Sequence, residues 1–202
     1  CGLVGFKPTY GLIPLTGVVE NTYSLDHIGI IASVVDDIAV TLEALSGKDP
    51  ADPASMTAAG NDQYNDTSYS DGTSSPPALD NLTIGIASQG LEDEIHEHIA
   101  EWHDAAISEL SSTAATVTNI SLPYLDEVKH IKNVISYSEL AAFWRSRGSS
   151  FRRPGWDDPF NQTKFARHTA AGTGELNQFY RSRMLAGAYL YETHAGHHYA
   201  RA

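Results

Sequence analysis

The chain has 202 residues, long enough for one domain with a sizeable core, and 42% of them are hydrophobic. Its formal charge of -12, from 25 acidic and 13 basic residues, disfavours nucleic acid as a direct partner because phosphate binding needs a basic surface. No stretch approaches the ~20 apolar residues of a membrane helix, so no membrane partner and a cytoplasmic location are predicted. The acidity fits either adaptation to high salt, a halophilic character, or an ordinary acidic protein.

The opening stretch is predicted to form a strand. Pro8 and Pro14 exclude a helix there, so Leu3 to Thr9 is expected to be extended. Gly5 and Gly11 flank this proline-bearing segment, which indicates close backbone packing at both glycines. Replacing either glycine by valine is therefore expected to cause local misfolding.

The next element is predicted to be a helix. Ser33 is expected to open it, with Asp36 three residues later as a capping-box partner, and Gly47 is expected to end it. Four apolar residues fall on one helical face: Val35, Ile38, Leu42 and Leu45. The dipeptides Asp49-Pro50 and Asp52-Pro53 are then predicted to form turns.

The middle of the chain is predicted to contain a strand, a helix and a second strand. Residues 54–78 are polar and are expected to form a surface connection with little regular structure. A buried strand is predicted over residues 82–87, an amphipathic helix over residues 92–111, and a short strand over residues 116–120. This order is typical of a βαβ unit, and it predicts an α/β fold with a mixed β-sheet flanked by helices.

The last third is predicted to be mostly helical. A helix is expected from Leu125 onward, and residues 148–173, which carry Gly, Pro and Trp, are expected to form a loop-rich excursion. A final helix is predicted from about Glu175 to Ala202 without a stop signal. The chain is therefore expected to be part of a single domain that is truncated at both ends.

Five segments, in order along the chain, resemble one enzyme family. The first is Cys-Gly-Leu-Val-Gly-Phe-Lys-Pro-Thr-Tyr-Gly (1–11), and the second is Ser-Leu-Asp-His-Ile-Gly (24–29). The helix with Val-Asp-Asp (35–37) and its Ser-Gly-Lys-Asp-Pro turn come next, followed by Leu-Asp-Asn-Leu-Thr-Ile-Gly-Ile (79–86) and Arg-Met-Leu-Ala-Gly-Ala-Tyr (183–189). Together they resemble the amidase-signature family, which carries Cys-Gly-x-x-Gly-Leu-Lys-Pro-Thr directly after its nucleophile.

The resemblance implies hydrolysis of a small carboxylic amide by a Ser–cis-Ser–Lys triad, without a cofactor. In the family, Cys-Gly ends the motif that holds the nucleophilic serine, so all three triad residues are expected before Cys1 and no catalytic residue is expected in this chain. An alternative is a component of a transamidation complex, similar to the A subunit of glutamyl-tRNA(Gln) amidotransferase. A third is a non-catalytic relic. A homodimer is compatible with each of them.

Two substrate-binding residues are predicted on helices that resemble family segments. Tyr137 lies with Asn133 and Glu139 on a helix similar to one bordering the family's substrate funnel, and Arg183 could bind a substrate carboxylate through a bidentate pair. The alternatives are a core aromatic with a hydrated hydroxyl for Tyr137 and an intrachain salt bridge for Arg183.

Other candidate metal-binding and catalytic residues have weaker support in the sequence. His194 and His198 have the i, i+4 spacing of helical metal ligands, but no third ligand motif accompanies them, so no metal site is predicted. Asp26 and His27 are adjacent, and neighbouring residues of an extended segment point to opposite faces, which excludes a relay pair. Cys1 is expected to be a small buried residue rather than a reactive thiol.

Overall fold

The computed structural model describes residues 2–58, 68–70, 79, 82–87, 89, 96–113, 115–148, 159–172 and 176–202. They form β1 (Val4–Phe6), β2 (Ile30–Ala32), α1 (Val35–Leu45), α2 (Pro53–Ala58), β3 (Thr83–Ala87), α3 (Glu97–Ser111), β4 (Thr116–Ile120), α4 (Leu125–Arg145), α5 (Pro159–Ala171), α6 (Gln178–His194) and α7 (His197–Arg201). The chain divides into two compact units: a first unit of residues 1–75 and 132–202, and a second unit of residues 76–131.

The first unit begins with the predicted strand, which is shorter than expected. β1 pairs with β2 in antiparallel orientation, with Val4 opposite Ala32 and Phe6 opposite Ile30. One core of this unit lies beside the pair, where Leu12 and Ile13 pack with residues of β2 and α1. The predicted strand over Leu3 to Thr9 is therefore confirmed only for Val4–Phe6.

The helix predicted after Ser33 is present as α1, and its apolar face is narrower than predicted. Ile38 and Leu42 are buried in the core, whereas Val35 and Leu45 are 57% and 45% exposed. The helix ends before Gly47, as predicted.

The predicted capping box at the start of α1 is wrong. The residue before the helix is Val34, which cannot accept a hydrogen bond through its side chain, and no side-chain cap is present. Because the helix starts at Val35, Ser33 lies one residue too early to cap it. Asp36 and Asp37 instead lie in the first turn, where their charges favour the helix N-terminus.

The predicted turn at Asp52-Pro53 is in fact the start of a short helix, α2. Proline suits the first helical position because that position needs no N–H donor. The Asp52 carboxylate accepts from the N–H of Ala54 at 3.0 Å and from that of Leu15 at 2.8 Å, which ties the helix start to the preceding loop. The expectation of little regular structure over 54–78 is wrong for the α2 residues, and residues 59–67 and 71–78 lie outside the described part.

The second unit contains the predicted βαβ arrangement. β3 and β4 are parallel, with Thr83 opposite Thr116 and Ala87 opposite Ile120, and α3 connects them. β3 was expected to be buried, but its residues are exposed or half-buried. Residues 92–95 of the predicted helix lie outside the described part, and α3 itself has no buried residue. The α/β class is therefore confirmed.

The loop-rich excursion predicted over residues 148–173 is wrong for its second half, which forms α5. Phe165 of α5 lies against Phe143 and Trp144 of α4, with 5.1 Å between the ring centroids in each case. Residues 149–158 lie outside the described part. Burial of this aromatic contact favours a helix that the flanking Gly and Pro residues did not suggest.

The single final helix predicted from about Glu175 is also wrong, because it is broken into α6 and α7. Asn177 caps α6 by accepting from the N–H of Tyr180 at 2.9 Å. After His194 the backbone turns left-handed at Ala195 (φ 47°) and Gly196 (φ 72°), which ends the helix before α7 begins. None of the helices in the described part of the chain has the length and apolar character of a membrane span.

Candidate functional site

The site is organised by a close contact between α4 and α6 in the first unit. Gly187 is buried on α6, and a Cβ atom at this position would overlap the carbonyl group of Tyr137 and lie 2.9 Å from the Cβ of Ala141. Only glycine therefore allows the two helices to approach this closely. Arg183 lies one turn before Gly187 on the same face of α6, which brings it to Tyr137.

The structure brings the two predicted substrate-binding residues together. The guanidinium carbon of Arg183 lies 5.6 Å from the ring centroid of Tyr137 and 3.6 Å from that of Phe179. Both Arg183 and Tyr137 are half-buried, and Phe179 is 56% exposed. The contribution of Phe179 was not predicted, although its spacing of four residues from Arg183 on a helix is a signal for such contact.

The predicted alternative for Arg183, an ion pair with an acidic neighbour, does not occur among the described residues; its contacts there are with the two aromatic rings. Aromatic rings attract the guanidinium through their faces and limit its rotation, but they accept none of its N–H bonds in the guanidinium plane. The group is therefore suited to a planar anion such as a carboxylate, which it would bind with two parallel hydrogen bonds.

Glu139, on the same helix as Tyr137, is a buried carboxylate with two protein donors. It is 2% exposed, and its Oε2 accepts from the backbone N–H of Ser24 at 3.0 Å. Its Oε1 accepts from the hydroxyl of Tyr199 on α7 at 2.7 Å. Burial, together with the hydrogen bond and the charge of Glu139, raises the pKa of Tyr199 to about 12.

Residues 21–26, here called the 21–26 turn, lie beside α4 and carry the Ser-Leu-Asp segment of the family motif. The Asp26 carboxylate accepts from the N–H groups of Asn21 and Thr22 at 3.0 and 2.9 Å. The buried hydroxyls of Thr22 and Ser136 are hydrogen-bonded at 2.9 Å. These bonds fix the turn internally and attach it to α4.

The described hydrogen bonds of Asp26 and His27 involve different groups, and the expectation that the two residues form no relay stays a prediction. Nδ1 of His27 lies 2.7 Å from the carbonyl oxygen of Leu25, and its ring packs edge-on against Tyr10. The Asp26 carboxylate accepts from two backbone amides of the 21–26 turn.

The histidine pair is divided between two helices. His194 ends α6 and His198 lies on α7, with their ring centroids 4.3 Å apart. Within the described ranges, no group of three or more His, Cys, Asp or Glu residues could hold a metal ion. The prediction that the protein needs no metal stays a prediction. Cys1 lies outside the described residues.

Several cavities lie near these helices and loops, and two of them have the following linings. One, of about 260 Å³, is an apolar cleft along α4 and α6 whose lining includes neither Tyr137 nor Arg183; its lining is Ala141, Trp144, Arg145, Arg181, Met184, Leu185 and Ala188. The other, of about 200 Å³, lies between the loop before β2 and the start of α2; its lining is Tyr10, Leu15, Thr16, Tyr23, Asp52, Pro53 and Ala54.

Comparison with known proteins settles the family. The profile described as Amidase matches residues 1–202. The chain belongs to the Amidase family. It is 34% identical to the A subunit of glutamyl-tRNA(Gln) amidotransferase from Natronomonas pharaonis, an alignment that covers 98% of this chain and 44% of that protein. The corresponding protein of Halobacterium salinarum is 33% identical, again over 98% of this chain and 44% of its own length. This Amidase-family chain thus spans less than half the length of these relatives.

Solved structures show the same fold. The crystal structure of PAM12A superposes with a TM-score of 0.61 at 24% identity, over 94% of this chain and 40% of that one. Native peptide amidase from Stenotrophomonas maltophilia superposes with a TM-score of 0.57 at 19% identity, over 92% of this chain and 41% of that one. These likenesses confirm that the chain has part of the amidase-signature fold.

Proposed function

We propose that this Amidase-family chain is part of an enzyme that hydrolyses a carboxylic amide to a carboxylate and ammonia. The observation that carries the proposal is the family match over residues 1–202. The resemblance assigns the chemistry to a Ser–cis-Ser–Lys triad in sequence before Cys1, and it assigns this chain a share of the substrate site.

In the proposed mechanism, the lysine accepts a proton through the bridging serine and so activates the nucleophilic serine, which attacks the amide carbonyl. Backbone N–H groups stabilise the oxyanion that forms. The C–N bond breaks with protonation of the leaving nitrogen, and ammonia departs. Water then attacks the acyl-enzyme, which releases the carboxylate and restores the serine.

Arg183 and Tyr137 are proposed to form the substrate-binding contribution of this chain. The guanidinium faces two aromatic rings and has no ion pair among the described residues, so its charge is available to a ligand. A carboxylate on the substrate would complete its hydrogen bonding, with the Tyr137 ring limiting the position of the substrate. The proposed substrates are therefore small amides that carry a negative charge near the scissile bond.

The test compares two substrates in an enzyme that also contains the serine motif. In an Arg183→Ala variant, kcat/KM should fall by about 10- to 100-fold for an amide bearing a carboxylate, since a hydrogen bond to a charged group contributes about 1.5–3 kcal/mol. An uncharged amide of the same size should be affected much less. Arg181→Ala is the matched control, because Arg181 is on the same helix but lines the apolar cleft. An equal loss for both substrates would contradict the assignment.

A second candidate function is membership of a transamidation complex. It is favoured by the relatives, since those from Natronomonas pharaonis and Halobacterium salinarum are amidotransferase A subunits. The two candidates differ in what becomes of the ammonia. Release into solution from small amides by the purified enzyme alone supports the hydrolase. Glutamine-dependent amidation of glutamyl-tRNA(Gln), requiring co-purified partner proteins, supports the complex.

A further inference from the structure

We infer that Glu139 is a positioning residue of the proposed amidase: it holds α4 against the 21–26 turn and α7, and through α4 it fixes the position of the Tyr137 ring. This inference rests on the proposed function for its catalytic consequence. Its structural part, the restraint of the turn by Glu139, can be tested without any activity.

A carboxylate is costly to place at this position. Glu139 is 2% exposed, and in the described part of the chain it forms no ion pair. Removing a carboxylate from water is unfavourable unless its oxygens are hydrogen-bonded. Each oxygen has one donor, the Ser24 amide on Oε2 and the Tyr199 hydroxyl on Oε1. The side chain therefore joins three segments that are far apart in sequence.

The restraint acts on the side of α4 that lies away from the candidate site. Residues of an α-helix are about 100° apart, so Tyr137 and Glu139 point to opposite sides of α4, about 200° from each other. On the Glu139 side, α4 is tied to the turn and α7, and the Ser136–Thr22 bond adds a second tie. On the other side, α6 packs at Gly187. Loss of the Glu139 hydrogen bonds would let α4 shift or rotate, and this movement would change the position of the Tyr137 ring relative to Arg183.

A Glu139→Gln variant distinguishes a positioning role of this side chain from a requirement for its negative charge. In a Glu139→Gln variant, the amide oxygen can accept from Ser24 while the amide NH₂ donates to the Tyr199 hydroxyl, since a hydroxyl can also accept. All three segments remain joined without the negative charge. In Glu139→Ala both bonds are lost, and the donors of Ser24 and Tyr199 are left without this partner.

The experiment measures kcat, KM and melting temperature in an enzyme that contains the serine motif. Glu139→Gln is expected to keep kcat/KM within about threefold, whereas Glu139→Ala should lower it by about tenfold or more, mainly through KM, at a temperature where the enzyme is still folded. Ser55→Ala is the control, because Ser55 is 0% exposed and its hydroxyl bonds, among the described residues, with groups of the 49–55 segment. It should lower the melting temperature without changing kcat/KM.

Two results would overturn the inference. One is a loss in Glu139→Gln as large as that in Glu139→Ala, which would indicate that the charge itself is required. The other is a kcat/KM in Glu139→Ala no different from that of Ser55→Ala. If Glu139→Ala does not fold, Tyr199→Phe removes one bond only and should lower kcat/KM by a smaller factor, of about two to five; an unchanged value would count against the inference.

Hydrogen exchange distinguishes a failure of this inference from a failure of the proposed function. The Ser24 amide should exchange faster in Glu139→Ala than in the unmodified protein and stay protected in Glu139→Gln, whether or not amide hydrolysis is observed. Equal protection in all three proteins would overturn the inference directly. Faster exchange in a protein with no amidase activity would refute the proposed function and retain the restraint of the turn.

Discussion

Gly187 of α6 lies so close to Tyr137 of α4 that a methyl group on Gly187 would overlap the Tyr137 carbonyl oxygen. In Gly187→Ala the helices must separate at a cost at the upper end of about 1–3 kcal/mol, because the overlap is with backbone atoms, and the better helix propensity of alanine offsets only ~1 kcal/mol of it. Chemical denaturation should show this loss. Gly5→Ala is the control, since no atom lies within 4 Å of a Cβ at Gly5; equal stability of both variants would contradict the close contact.

Gly11 and Gly5 should respond differently to valine, which revises the expectation that both pack closely. Gly11 is buried with a φ of 78°, a left-handed conformation that a β-branched residue adopts only with strain. Gly5 lies in β1 with open space around it, so valine is tolerated there. Gly11→Val should lose about 1–3 kcal/mol of unfolding free energy, and Gly5→Val should change it little. A larger loss of unfolding free energy in Gly5→Val than in Gly11→Val would contradict the left-handed conformation of Gly11.

Burial of the Tyr199 hydroxyl, together with its hydrogen bond to Glu139 and the charge of that carboxylate, should make stability depend on pH in the alkaline range. The pKa of Tyr199 is raised from 10.0 to about 12 in the folded protein, so the unfolded chain loses this proton first. The protonated Tyr199 hydroxyl therefore contributes fully to stability below pH 10, and its contribution is lost as pH rises through about 12. The stability difference between the unmodified protein and Tyr199→Phe should shrink over this range. A constant difference would mean that the pKa of Tyr199 is not raised in the folded protein.

Salt should stabilise the protein, because a net charge of -12 produces self-repulsion that counter-ions screen. The screening length falls to about 3 Å in molar salt. The melting temperature is expected to rise between dilute buffer and molar potassium chloride, and equally in sodium chloride. A flat or falling melting temperature would count against the halophilic character suggested by the composition.

Local sequence patterns predicted the helices and strands that form mainly through interactions between residues close in sequence. The helical period of Ile38 and Leu42 correctly placed α1, and the strand–helix–strand spacing correctly placed β3, α3 and β4. The break after His194 was missed, because Ala195 adopts a left-handed conformation that is uncommon for alanine. The helix α5 was missed because flanking Gly and Pro residues suggested a loop, whereas its contact with Phe143 depends on tertiary structure.

Two residues of the candidate site could be predicted from the sequence, whereas their tertiary contacts could not. Family resemblance selected Tyr137 and Arg183, and the structure brings them together. The resemblance did not indicate that Phe179 covers the guanidinium of Arg183. It also did not indicate that Glu139 is hydrogen-bonded to Ser24 and Tyr199, because these two residues are 115 and 60 positions away from Glu139 in sequence. Such pairings are decided by how helices meet, and a pattern within one helix does not contain that information.

The measurement that tests the proposed amidase function most directly is ammonia release from small amides, by residues 1–202 alone and by a longer polypeptide that includes the serine motif of the family. We expect no turnover by residues 1–202, because an amide is a poor electrophile that needs an activated nucleophile and an oxyanion site together. We expect turnover by the longer polypeptide, abolished when the motif serine is changed to alanine. Turnover by residues 1–202 above a buffer blank, or undiminished turnover in the serine variant, would contradict the proposed function.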